Sequence, residues 1–228
     1  MHHMRPLFFP YLYSSWYLRG SYQKETCGIP PCGECLRAIY NGMITYINPM
    51  DFEFLKRSID FTNSEKKLIS SIGIQADAVL PLLLCLRDGG DWSYSTENIK
   101  TMAILDKTTF YDEEKRTGYS LEEIYFFVNP VLKDEVGTVH RLEKCGNTET
   151  RILVKRPYRI RVGSELIIKA TVNPFDKEIK VQSLKEKELV FEGSTAYDIS
   201  HELEHLDHKE ITGGSLMEFK FEYIQKRP

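Results

Sequence analysis

Three residues near the carboxyl end of the chain have the types and spacing of a metal-binding motif. His201 and His205 are four residues apart and Glu202 directly follows the first histidine, so the segment has the pattern H-E-x-x-H. On a helix, histidines at this spacing stand on one face one turn apart, and both rings can reach one ion. The adjacent glutamate then projects beside the open coordination position. The pattern predicts a metal site with Glu202 as acid and base; the alternative is a charged helix with two solvated histidines.

The flanking sequence predicts the helix that this motif needs. A helix is expected from about Ser194 to Lys209, and Thr195 and Asp198 fit a capping box at its start. One apolar stripe is expected to face the core, formed by Ile199, Leu203 and Leu206. The motif would therefore lie on an amphipathic helix that enters the body of the protein.

Two histidines leave the site one ligand short, because a catalytic ion of this kind usually has three protein ligands and a water. Metzincin proteases place a glycine and then a third histidine after the motif, where this chain has His208 and Ile211, so that class is excluded. Gluzincin proteases take a glutamate from a following helix, here Glu218 or Glu222. A pair of glycines interrupts the chain before them and the tail alternates like a strand, which weakens this alternative. The remaining candidate is Cys145.

Four segments, in the same order along the chain, resemble motifs of the peptide deformylase family. They match the I-N-P turn, the E-G-C-[LV]-S motif, the R-P-x-x-V-x-V strand and the Q-H-E-x-D-H motif, at residues 127–130, 142–147, 154–162 and 201–206. Glu204 stands where the last motif has aspartate, and Lys144 stands where the second has glycine. The resemblance covers about residues 60 to 210.

The resemblance implies an α+β fold in which antiparallel sheets pack around a central helix that carries the H-E-x-x-H motif, with an N-terminal helical extension. It divides the chain into an extension, residues 1–50, and a metal-binding domain, residues 51–228. The ligands would be Cys145, His201 and His205. The ion would be ferrous iron, with zinc or nickel as alternatives.

The resemblance also implies the reaction, which is removal of the formyl group from the N-formyl-Met of nascent polypeptides. Glu202 would transfer the proton, and the backbone N–H of Gly146 would stabilise the oxyanion. The implied substrate-binding residues are Ile72, Gly73, Glu143, Tyr197 and Asp198.

Two departures from the family pattern keep other functions open. The glutamine that donates to the oxyanion in the first family motif is replaced by Ala78 in the best register, and Asp198 puts a charge where apolar residues usually contact methionine. The alternatives are an inactive deformylase-like protein that binds a metal or peptide, and a metallopeptidase with a different substrate.

Hydrophobic spacing predicts the remaining elements. Residues 51–72 carry apolar residues at mixed spacings of three to five, which favours a helix. From Arg159 the period changes to two, which predicts an antiparallel meander. Further strands are predicted at residues 79–86, 101–105 and 124–128.

Charge and composition restrict the partners. The formal net charge of −3 gives no general electrostatic reason for nucleic acid or an anionic membrane as the main partner. The longest apolar run, residues 76–86, is far shorter than the roughly 20 residues that cross a bilayer, and predicts a buried strand rather than a membrane span. The expected partner is a peptide, the amino terminus of a nascent chain.

The cysteines and the first residues bear on location. Five cysteines form an odd set with no secretory signal, so a reducing compartment is expected. Cys27, Cys32 and Cys35 are expected to be ordinary thiols, since no C-x-x-C partner completes a second metal site. The first 24 residues contain three basic and no acidic residues, which is typical of an organelle transit peptide. A mitochondrial or plastid location is expected, with the cytoplasm as the alternative.

Overall fold

The structure is a computed structural model that describes residues 46–47, 61–144 and 150–223. Contacts divide the chain into two units, residues 1–31 and residues 32–228, and every described residue belongs to the second. The described part is a mixed α+β structure with mostly antiparallel sheets, which confirms the expected fold class at this level.

Within the described residues there are three α-helices and twelve strands. The helices are α1 (Asn63–Ile72), α2 (Leu80–Asp88) and α3 (Ser194–Leu206). The strands are β1 (Tyr46–Ile47), β2 (Trp92–Ser95), β3 (Lys100–Asp112), β4 (Thr117–Val128), β5 (Val131–Val136), β6 (Val139–Glu143), β7 (Ile152–Arg156), β8 (Arg159–Gly163), β9 (Leu166–Asn173), β10 (Glu178–Ser183), β11 (Glu188–Glu192) and β12 (Gly214–Ser215).

The main sheet has six strands in the order β1-β2-β3-β4-β9-β10, and only the β1–β2 pair in it is parallel. Two three-stranded sheets, β11-β8-β5 and β12-β7-β6, complete the described part. The predicted strands at 101–105 and 124–128 are confirmed and pair with each other, with Thr101 opposite Val128 and Leu105 opposite Ile124.

Two hydrophobic clusters lie on opposite faces of the main sheet, because successive side chains of a strand point to opposite faces. Ala103 of β3 packs with the leucines of α2 in the first cluster. Its neighbours Met102 and Ile104 pack with Ala196 and Ile199 of α3 in the second. The sheet therefore separates α2 from the helix that carries the histidines.

The apolar run at residues 76–86 is a helix, so the predicted buried strand is wrong. A 3-10 turn at Ala76–Val79 leads into α2, whose first turn contains Pro81, a residue tolerated at that position. Every residue from Leu80 to Cys85 is buried, so the run has no polar face. A short run that is apolar all round does not distinguish a buried helix from a buried strand by periodicity.

The helix predicted at residues 51–72 is confirmed for its second half. Helix α1 begins after Thr62, which caps it reciprocally with Glu65, and ends at Gly73 with φ 77°. The predicted residues 51–60 lie outside the described part, as do the three clustered cysteines and the basic first 24 residues.

The predicted meander is correct for one hairpin and wrong for the strand before it. Strands β9 and β10 pair antiparallel, but β8 pairs with β5 and β11 in a separate sheet. Ile160 and Val162 of β8 are buried in the second cluster, next to α3. Alternation predicts that a segment is a strand but does not identify its partner.

Among the described residues no single helix is long and apolar enough to cross a membrane. Asn63–Ile72 and Ala76–Asp88 reach that length and composition only together, across a bend of 108°.

Candidate metal centre

Helix α3 begins at Gly193, where φ is 66° and no side chain caps the first turn. The predicted capping box is therefore wrong. Thr195 lies inside the helix and is buried, and the Asp198 side chain contacts Arg141 of β6 instead. Arg141 is 57 residues away in sequence, so the local capping pattern could not reveal this competing partner.

The helix brings the three predicted residues of the motif together. One ligand atom each from His201, Glu202 and His205 lies within 4.8 Å of the others. The two Nε2 atoms are 3.0 Å apart. Two nitrogens bound tetrahedrally at 2.0–2.1 Å from one ion are separated by about 3.4 Å, so small ring movements suffice for both to ligate one ion. The donor set fits a divalent transition metal.

Glu143 of β6 orients the first of these histidines. Its Oε2 is 2.9 Å from Nδ1 of His201, and the carboxylate is almost fully buried, at 7% exposure for the residue. A carboxylate only accepts hydrogen bonds, so Nδ1 is the donor and carries the proton. In the neutral ring the lone pair then lies on Nε2, which faces His205. This is the tautomer that a metal ligand requires.

Arg156 of β7 stabilises Glu143 in its charged form. Its Nε and Nη2 donate to the two carboxylate oxygens at 3.0 and 2.8 Å, and its side chain is 2% exposed. Burial opposes ionisation, but the hydrogen bonds from His201 and Arg156 outweigh it and lower the pKa of Glu143 to about 2. Arg156 also forms an ion pair with Glu204, at 2.8 Å. The aspartate-to-glutamate difference in the motif therefore keeps a carboxylate that reaches Arg156.

Glu143→Gln is expected to lower the affinity for a divalent metal by about 10- to 100-fold, because the amide removes the charge that fixes the His201 tautomer and leaves the buried Arg156 one carboxylate short. Competition with a chelating indicator measures the affinity. The exposed Glu135→Gln on β5 is the matched control and should bind metal as the parent does. Equal affinities of the two variants would show that Glu143 does not orient His201.

A charged wall lies next to His201. Nη1 of Arg141 is 3.1 Å from Oδ1 of Asp198, and its Nε is 3.3 Å from Oε1 of Glu143. The guanidinium also lies over the ring of Tyr197, with its carbon 5.1 Å from the centroid. Three predicted substrate-binding residues, Glu143, Tyr197 and Asp198, are thus linked by one arginine. Sequence reasoning missed Arg141, although it stands two residues before Glu143 on the same strand and therefore on the same face.

Asp91 is a second residue that sequence reasoning missed. Its Oδ1 accepts the backbone N–H of Leu105 at 2.8 Å, at the end of the turn that precedes β2. Burial raises the pKa of Asp91 to about 7; nearby Asp198 adds to this, against the lowering effect of the Leu105 N–H. The only sequence signal is an acidic residue after two glycines, which is also an ordinary turn pattern.

Asp91→Asn is expected to stabilise the fold at pH 8 and to give little gain at pH 4. The folded-state pKa is raised, so the acid's contribution to the free energy of unfolding is highest when it is protonated, and it falls as the pH rises from about 4 to about 7. Asparagine keeps the acceptor for Leu105 without the charge. The gain at pH 8 should be on the order of 1–4 kcal/mol, measured by urea unfolding. The exposed Asp134→Asn is the control; a gain for Asp91→Asn that does not vary with pH would contradict the assignment.

Cys145 and Gly146, the predicted third ligand and oxyanion donor, lie outside the described residues. Their roles stay predictions. The alternative glutamate Glu218 accepts the backbone N–H of Ser215 at 3.1 Å in a local capping box, so its carboxylate is engaged at the end of the chain rather than with the histidines.

The remaining predicted substrate residues belong to another part of the fold. Ile72 ends α1 and packs against the first hydrophobic cluster, on the other face of the main sheet from α3. Gly73 follows it as the cap of α1. Ala78 is fully buried in the 3-10 turn, where its carbonyl accepts the Thr101 hydroxyl at 2.8 Å.

Comparisons with models of known protein families, with curated proteins and with solved structures found no match for this chain.

Proposed function

We propose that this protein is a metal-dependent hydrolase of the peptide deformylase type, which removes the formyl group from the amino terminus of a peptide, with N-formyl-Met of nascent polypeptides as the reference substrate. One observation carries the proposal. His201, Glu202 and His205 converge on one point, and a buried carboxylate holds the first histidine in the ligating tautomer.

The proposed architecture places α3 at the centre of the domain. Its residues contact β2 and β3 of the main sheet, β8 and β11 of the second sheet and β7 of the third. Contacts with all three sheets support a central helix that carries the motif, as the resemblance implies.

The proposed third ligand is the thiolate of Cys145. Glu143 contacts His201, and Cys145 follows Glu143 by only two residues. Consecutive Cα atoms are about 3.8 Å apart, so covalent geometry alone keeps Cys145 within about 7 Å of Glu143. A thiolate and two imidazoles accept ferrous iron, zinc or nickel, and we propose ferrous iron as the physiological ion.

When bound, the ion would polarise the formyl carbonyl and acidify the attacking water. Glu202 would accept the proton of that water and transfer it to the leaving amine, which needs a carboxylate held close to the reacting atoms. The helix fixes it there, with 1% of the residue exposed. The backbone N–H of Gly146 would donate to the developing oxyanion. Glu143 and Arg156 would keep His201 oriented throughout.

Formate release tests the proposal. Protein purified without oxygen and loaded with ferrous iron should release formate from N-formyl-Met peptides, in proportion to its metal content. Zinc- and nickel-loaded samples show whether the ion changes the rate. If fully metal-loaded, folded protein releases no formate with any of the three ions, the hydrolase proposal is wrong.

A second candidate function is a deformylase-like protein that binds metal and peptide without hydrolysis. Ala78 favours it, because this residue offers no side-chain donor and its backbone is engaged in the 3-10 turn. Loss of one oxyanion donor costs about two to three orders of magnitude in rate. Metal and peptide binding without formate release would support this second function.

We also propose an organellar location and the amino termini of nascent chains as partners. The basic first 24 residues, which contain no acid, support the location. Expression of the full chain with a fluorescent protein at its carboxyl end tests it.

A further inference from the structure

The side chains beside His201 form a polar surface of one kind. Asp198 precedes His201 by three residues, which puts it on the same face of α3 one turn away. Arg141 reaches it from β6 at 3.1 Å, and Tyr197 lies under the guanidinium. The Arg141 and Asp198 side chains are 32% and 28% exposed, so solvent reaches the ion pair from the side of the metal ligands.

An apolar substrate side chain is a poor match for this surface. Covering the pair would remove water from both charges and give no hydrogen bond in return, which costs free energy at each charged group. The pair is also connected to the metal site, because Arg141 contacts Glu143 and Glu143 contacts His201. Moving Arg141 aside for a bulky apolar group would disturb the carboxylate that orients the histidine.

A charged side chain is also disfavoured. A cation would compete with Arg141 for Asp198, and an anion would compete with Asp198 for Arg141. Either would leave one member of a half-buried pair without its partner, which is unfavourable.

A carboxamide satisfies both groups without separating them. Its oxygen accepts from an arginine N–H, and its NH₂ donates to a carboxylate oxygen. The guanidinium has five N–H groups and the carboxylate about four acceptor sites, so one further hydrogen bond at each leaves the ion pair intact.

We propose that Arg141, Tyr197 and Asp198 form the subsite for the side chain of the residue that carries the formyl group, and that this subsite selects a carboxamide side chain over the methionine side chain of similar length. The inference rests on the proposed function for its substrate class, and it assigns the selecting residues.

Equilibrium binding tests the selection separately from catalysis. The zinc-loaded Glu202→Gln protein is titrated by calorimetry with capped tripeptides that begin with N-formyl-Gln, N-formyl-Met, N-formyl-Lys or N-formyl-Glu. The glutamine peptide should bind at least about tenfold tighter than the methionine peptide, because a subsite built for hydrogen bonds rejects an analogue that lacks them. In the parent protein kcat/KM for formate release should show the same order.

Two variants assign the selection to the pair. Arg141→Leu combined with Asp198→Leu should reverse the order and favour methionine. Arg161→Leu combined with Asp134→Leu, a similar exposed pair on β8 and β5 with a 3.7 Å contact, should keep the glutamine preference. If the first double variant does not fold, Asp198→Asn tests the same point and should reduce the preference at least about threefold.

Tighter binding of the methionine, lysine or glutamate peptide by the parent subsite would overturn the inference, as would a preference that survives removal of the pair. Failure of the proposed hydrolysis gives a different result. The glutamine peptide would then bind selectively, but the parent protein would release no formate.

Discussion

Replacing Glu202 with glutamine is expected to lower the rate of formate release by about 10²- to 10⁴-fold while the metal stays bound. Glutamine keeps the size of the side chain but cannot accept the proton of the attacking water. Glu202 is buried on α3 between the two histidines in sequence, and a ligand atom from each of the three lies within 4.8 Å of the others. Single-turnover formate release, normalised to metal content, measures the effect.

The control for this variant is Glu210→Gln, at an exposed position just beyond α3. It should release formate at the parent rate. A Glu202→Gln protein that is fully metal-loaded and has at least a tenth of the parent rate would exclude Glu202 as the group that moves the proton.

Replacing His205 with alanine is expected to reduce tight metal binding from one equivalent to nearly none. The site would keep one imidazole and the proposed thiolate, too few for the three protein ligands usual in such sites. The increase in melting temperature that metal gives the parent protein should disappear with it, because binding stabilises only through the folded site. Metal analysis after gel filtration and thermal unfolding with and without metal measure the two effects.

His140→Ala on the exposed side of β6 is the matched control, since it removes a histidine from a strand next to the site without touching the motif. It should bind one equivalent. Retention of one tightly bound metal by His205→Ala would show that the ion, if present, is held elsewhere.

The local part of the site could be predicted from the sequence. The spacing of His201 and His205 and the apolar stripe beside them specify a helix with both rings on one face, and the structure has this helix at Ser194–Leu206. The paired strands β3 and β4 were also predictable in part, because their apolar runs are bounded by turn residues. Each of these conclusions depends on residues within one helix or one strand.

The non-local part could not be predicted. Arg141, Glu143 and Arg156 lie 45 to 60 residues before His201 and reach it only because β6 and β7 pair next to α3. No spacing rule connects these positions. For the same reason the sequence indicated that β8 is a strand but not that it leaves the main sheet.

The error at α2 has a different cause. A helix that is buried on all sides loses the polar face that produces the 3.6-residue period. The leucines around Pro81 therefore matched a buried strand equally well, and only their packing against the main sheet distinguishes the two.

X-ray absorption at the metal edge tests the central claim most directly, because it reports the atoms bound to the ion. Zinc-loaded protein should show one sulfur at about 2.3 Å and two imidazole nitrogens at about 2.0–2.1 Å, with the remaining position filled by oxygen. Cys145→Ser should remove the sulfur contribution and His205→Ala one imidazole. A zinc ion with no sulfur ligand, or with sulfur that persists in Cys145→Ser, would contradict the proposed site.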